Sequence, residues 1–71
     1  MTSPFPKWAR WIAQDEDGDI YVFSNKPIIS SHFQNHWTNE KHRISRYKLI
    51  AQGTPNPHWR NSLDCLGEDD A

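Results

Sequence analysis

Apolar and polar positions alternate with a period of two over two stretches of this chain, and less regularly over a third, the pattern of β-strands. Residues 8–14 (W-A-R-W-I-A-Q) place Ala9, Trp11 and Ala13 on one face and Trp8, Arg10 and Ile12 on the other. The alanines flanking Trp11 leave room for its ring, so that face is expected to meet the core. Residues 20–24 form the next strand, with Ile20 and Val22 facing one way and Tyr21 and Phe23 the other. Between the two lies Asp15-Glu16-Asp17-Gly18-Asp19, too polar to bury. Its glycine takes positive φ at little steric cost, so the pair is read as a β-hairpin around which the rest of the chain packs.

Asn25-Lys26-Pro27 ends the second strand, because proline cannot donate to a central ladder and asparagine suits a turn. Ile28 and Ile29 either resume an extended strand or anchor the next loop, and residues 30–40 read as a loop or a single helical turn. A third strand is expected over 43–51, where Ile44, Tyr47, Leu49 and Ile50 cluster with impure alternation. After Gly53-Thr54-Pro55, Asn56 has the character of an N-cap and Pro57 that of a first helical residue. The helix predicted from there to about Leu66 carries Trp59, Leu63 and Leu66 on one face. The expected fold is α+β: a three-stranded antiparallel sheet packed against one C-terminal helix. Residues 1–6, with Pro4 and Pro6, read as an extended arm, 7–66 as the domain, and 67–71 as an acidic disordered tail.

With 71 residues the chain is near the lower limit for a domain without covalent or metal staples. Four tryptophans, two tyrosines and three phenylalanines offset a low hydrophobic share of 35%, since each buried aromatic removes roughly 150–250 Å² from water. Trp8, Trp11, Phe23, Trp37, Tyr47 and Trp59 are therefore expected to supply most of the core. A net charge of −1 is not that of a dedicated nucleic-acid binder. The single cysteine, Cys65, excludes an internal disulfide and fits a reducing cytosol. Neither a signal peptide nor an apolar run long enough to span a membrane is read here, so a cytoplasmic protein without membrane association is expected.

Candidate chemistry is sparse. The acidic run 15–19 departs from the EF-hand loop, which needs glycine at the sixth place and glutamate at the twelfth; here glycine is fourth and Lys26 stands twelfth. A charged hairpin tip is the better account. His32 and His36 are four apart, but no paired spacing announces further ligands among His42, His58 and Cys65. Cys65, inside the predicted helix and near acidic residues, is not placed to be a thiolate nucleophile. Three scattered glycines offer no phosphate cradle. No cofactor and no catalytic residue is assigned. The basic stretch Lys41, Arg43, Arg46 and Lys48, interleaved with Tyr47, has the composition that grips phosphates and stacks a base. The same residues also suit a strand edge protected against aggregation.

Three segments, W-x-x-W-I-A-Q-D-E-D-G-D-I-Y-V-F (8–23), N-K-P (25–27) and P-N-P-H-W-R-N-S-L (55–63), together resemble short proteins encoded by tailed bacteriophages and prophages. The resemblance covers the two ends of the domain and leaves 30–40 unmatched. It implies a small accessory phage protein in the host cytoplasm and carries over no mechanism. Its tryptophans read as determinants of the fold first. The function expected is a non-enzymatic module, monomeric or weakly dimeric, that docks on a host protein and alters its activity. Trp8, Phe33 and Trp37 are the candidate anchors, since aromatic residues dominate binding hot spots. The alternative is a nucleic-acid binder using Lys41, Arg43, Arg46, Tyr47 and Lys48.

Overall fold

The structure, a computed structural model, describes residues 5–30, 35–39 and 45–66. Its regular secondary structure is almost wholly strand. A four-stranded antiparallel sheet has the order β5-β2-β1-β6, formed by β1 (Trp11–Gln14), β2 (Asp19–Phe23), β5 (Tyr47–Gln52) and β6 (Asp64–Cys65). A separate two-stranded ribbon pairs β3 (Ile28–Ile29) with β4 (Trp37–Thr38).

β1 and β2 form the hairpin that the alternation predicts, in the register Trp11↔Phe23, Ile12↔Val22, Ala13↔Tyr21 and Gln14↔Ile20. Its turn closes through Asp15 N–H to Asp19 C=O and Gly18 N–H to Asp15 C=O, at 2.8 and 3.0 Å. Gly18 has φ +102°, the left-handed value this connection needs. Gly18 C=O then accepts from Gly53 N–H at 2.9 Å, so the hairpin tip is fastened to the end of β5.

β5 runs antiparallel to β2, with Tyr21↔Leu49, Val22↔Lys48 and Phe23↔Tyr47, and its register shifts between Ile20↔Ala51 and Tyr21↔Leu49. Ile50 is the extra residue of this bulge. The bulge explains why Leu49 and Ile50 stand side by side as apolar neighbours: the insertion resets the alternation.

The α+β expectation is overturned. The helix predicted from Pro57 to Leu66 is replaced by one turn of 3₁₀-helix, Trp59–Asn61, followed by β6. The start signal acts only locally. Asn56 Oδ1 accepts the His58 N–H at 2.8 Å, an Asx turn, and Trp59 N–H bonds Asn56 C=O. The helix is then diverted by Ser62, whose hydroxyl bonds Trp59 C=O at 2.6 Å and accepts Gln14 N–H at 2.8 Å. Ten residues make a marginal helix on their own. The open side of β1 offers the alternative: β6 pairs Ile12↔Asp64 and Trp11↔Cys65, and Leu66 N–H reaches Arg10 C=O.

The core is smaller than the aromatic count suggests. Ala9, Ala13, Val22, Phe23 and Trp59 are buried, with Val22 and Pro27 fully enclosed. Trp8, Trp11 and Trp37 are half-buried. Tyr47, expected in the core, is 64% exposed because its strand lies at the sheet edge. Trp59 meets Trp37 edge to face at 6.2 Å, and the Arg60 guanidinium lies 4.8 Å from the Trp59 ring.

Gln14 ties the remaining parts together. Its side-chain Nε2 donates to Gly18 C=O, its Oε1 accepts from Asn56 Nδ2, and its C=O accepts from both Trp37 Nε1 and Ser62 Oγ. Residues of 8–23 and 55–63, together with Trp37, thus meet at one polar junction. The anticipated arm 1–6 is described only at Phe5 and Pro6, both half-buried, and the tail 67–71 lies outside the described residues.

Candidate functional site

Two rows of side chains cross the same face of the main sheet. One is Trp11–Phe23–Tyr47 and the other Ala13–Tyr21–Leu49, since cross-strand partners share a face. Three rings gather at the β5 end: Tyr21, Phe23 and Tyr47 stand 6.0–6.4 Å apart, centroid to centroid. Leu49, 39% exposed, extends this surface. Ile12, Val22 and Lys48 belong to the opposite face.

The main-chain groups of β5 are equally asymmetric. Ser24 N–H donates to Arg46 C=O at 2.9 Å. Ladder-bonded and non-bonded positions alternate along an antiparallel pair, so Lys48 turns its main-chain groups towards β2 while Tyr47 and Leu49 turn theirs outward. No strand pairs with that outer edge among the described residues. Tyr47 and Leu49 therefore present both unpaired main-chain groups and apolar side chains.

β4 lies beside the aromatic rows. Between them is a cavity of about 270 Å³ bordered by Asp15, Tyr21, Phe23, His36, Trp37 and Tyr47, with Thr38 and Asn39 completing the wall. β4 is held there by the hairpin tip: Trp37 N–H donates to Asp15 Oδ1 at 2.9 Å and Glu16 N–H to Asn35 C=O at 3.3 Å. Asn39 Nδ2 and Oδ1 are both buried and neither has a hydrogen-bond partner. A second, more open depression shares Asp15, Tyr21 and His36 and is rimmed by Glu16, Asp17 and Asp19.

Burial pushes the Asp15 carboxyl above its ordinary value of 3.8, against the lowering effects of the Trp37 N–H and of His36. Burial also raises the Tyr21 phenol, and Asp19, Asp15 and Asp17 push it in the same direction. The aromatic cavity thus lies in a negative field. A carboxyl whose pKa rises on folding binds its proton more tightly in the native chain than in the unfolded one. It subtracts stability above its native pKa, and the penalty fades as pH falls towards 3.8. Asp15→Asn, whose amide oxygen still accepts the Trp37 N–H, is expected to melt at a higher temperature at neutral pH. The gap should close as pH falls towards 3.8, and thermal melts of both proteins across pH check it. An equal gap at all pH values would contradict the burial penalty.

The candidate residues are dispersed. Trp37 borders the cavity but has its Nε1–H committed to Gln14 C=O. Trp8 is half-buried in the turn preceding β1. Phe33, Lys41 and Arg43 lie outside the described residues, as do His32 and His42. Arg46 and Lys48 are exposed, but alternation places them on the face opposite Tyr47. Among the described residues, no three His, Cys, Asp or Glu side chains converge as metal ligands.

Sequence reading did not single out Asp15, Tyr21, Leu49 or Asn39 as a surface. The shared parity of Tyr21 with Phe23 and of Tyr47 with Leu49 was the available signal; Asn39 offered none. Comparison with known proteins adds nothing to this geometry: no family model, curated protein or solved structure matches the chain.

Proposed function

We propose that this protein is a non-enzymatic protein-binding module that takes an extended segment of a host protein onto the open edge of β5. The observation that carries the reading is the combination at Tyr47 and Leu49 of outward main-chain groups with exposed apolar side chains. Six residues of strand span about 20 Å, enough for several ladder bonds to an added strand. Lys48 and Arg46 moderate the edge, as charged residues do in protected strands. A ring 64% exposed beside Leu49 is the opposite of protection, and it favours a docking function for this edge.

The bound segment would place alternate side chains on the two faces of β5. Those towards Arg46 and Lys48 are suited by carboxylates, and those towards Tyr47 by apolar or cationic groups. The phage-type pattern supports a host-cell setting, with the host cytoplasm as the site of action. No helix among the described residues is long and apolar enough to cross a membrane.

The test is selection of random octapeptides displayed on phage against the immobilised full-length chain, followed by amide NMR mapping with an enriched peptide. Shifts should concentrate on Tyr47–Gln52, and both Leu49→Pro and Leu49→Lys should weaken binding. The first removes an outward N–H, and the second is a surface change worth no more than about 0.5 kcal/mol in stability. Absence of any enriched peptide, or shifts confined to other strands, would overturn the proposal. So would oligonucleotide binding that falls steeply with salt and maps to Arg46 and Lys48, the signature of phosphate neutralisation.

A further inference from the structure

We infer that the cavity between β4 and the Tyr21–Phe23–Tyr47 rings receives an arginine side chain of the segment bound at β5. The inference rests on the strand-addition reading and specifies the chemistry of one residue in that segment. It is carried by three features of one place. The rings of Tyr21 and Tyr47, 6.0 Å apart, border the cavity as π-systems, and Tyr47 is the ring nearest the open edge. Asp15 borders the same space with one carboxylate oxygen used by the Trp37 N–H, which leaves its other oxygen as an acceptor. Asn39 also borders it, and its buried, unpartnered Oδ1 is the amide atom a guanidinium can pair with.

The rings and the Asp15 carboxylate together fit a flat cation better than an anionic group. A guanidinium stacks on an aromatic ring while donating in its plane to carboxylate and amide oxygens. The surrounding carboxylates of Glu16, Asp17 and Asp19 raise the local concentration of cations and repel phosphate. His36 is the titratable group on the opposite wall, contributed with Trp37 by the segment of β4. An ammonium satisfies the charge but lacks the planar face. The cavity is accordingly expected to prefer arginine to lysine, and both to neutral analogues.

The probe is N-acetyl-arginine methylamide, titrated into the full chain by NMR beside the blocked lysine, citrulline and norleucine compounds. Blocked arginine should bind most tightly and move the Trp37 indole resonance and the amides of Tyr21 and Tyr47. Citrulline, of the same shape without charge, should bind about ten-fold more weakly or not at all. Asp15→Asn should reduce arginine binding about ten-fold. Tyr47→Leu, an exposed site where folding is insensitive, should reduce it several-fold by removing a π-face.

Equal binding of citrulline and arginine, lysine binding tighter than arginine, or no loss in either variant would each overturn the inference. The two readings fail separately. A peptide that maps to β5 yet binds equally with arginine or citrulline leaves strand addition standing and removes the arginine pocket. Saturable binding of blocked arginine without any peptide on β5 does the reverse.

Discussion

Gly18→Ala is expected to lower the melting temperature by roughly 15 °C or more, one of the two strongest single-residue effects in this domain. Two costs combine. Alanine at φ +102° is strained by about 1–2 kcal/mol. Its Cβ would also fall 2.3 Å from the Gly53 carbonyl oxygen, and 2.8 Å from main-chain carbons of Gly53 and Thr54. Those atoms are backbone, so relief requires the hairpin tip to separate from the end of β5 and lose the Gly53 N–H to Gly18 C=O bond. Together these amount to about 3 kcal/mol or more, against a total of about 4–10 kcal/mol for a domain this size. Gly18→Asn separates the two contributions. Asparagine tolerates positive φ, yet its Cβ meets the same carbonyl, so it should rescue little. A near-native melt for Gly18→Asn would show that conformation alone, and not the close approach, sets the requirement.

Trp59→Ala is expected to cost about 3–5 kcal/mol, leaving the chain marginally folded at room temperature. Trp59 is only 4% exposed and is the largest side chain in the buried core. It packs edge to face against Trp37, whose Nε1–H is bonded to Gln14 C=O, so its loss also loosens the support of β4. Trp59→Phe keeps an aromatic ring in the space and should cost less than half as much. Urea denaturation followed by the remaining indoles gives the stability. The Trp37 indole resonance reports whether the pair has come apart. Unchanged stability in Trp59→Ala would mean that this indole does not fill the interior.

Both predictions concern residues of the segments 8–23 and 55–63, which meet in the folded chain. Gln14 and Gly18 stand at one end of the chain and Asn56, Trp59 and Ser62 near the other. Gln14 donates to Gly18 C=O and Ser62 Oγ and accepts from Asn56 Nδ2, and these bonds bring the two ends together. A polar junction of this kind is sensitive to its members because each lost partner leaves another group buried and unpaired.

The hairpin was legible because its information is local. Period-two alternation on either side of a polar turn with one glycine leaves few other backbone solutions. The C-terminal segment misled for a related reason. Asn56 and Pro57 do begin a turn, but whether it grows is settled by competition with distant partners. Ser62 reaches Gln14 and residues 64–65 reach β1, across about 50 residues of chain, and no local propensity encodes that. The candidate face was half legible. Tyr21 and Phe23 were assigned to one face, as the register confirms. The sequence places Tyr47 inside because a core this small depends on its few large rings, whereas the edge position of its strand leaves it exposed.

By itself the amino-acid order determined where this chain reverses and which residues share a side of each strand. Those choices depend on φ preferences and on a two-residue repeat. Only the tertiary structure decided that β5 is an outer strand, that Tyr47 and Leu49 are left in solvent, and that Asp15 and Asn39 border a cavity with them. Edge position depends on how many strands find partners, and that is set by long-range hydrogen bonds and packing that no short stretch of sequence contains.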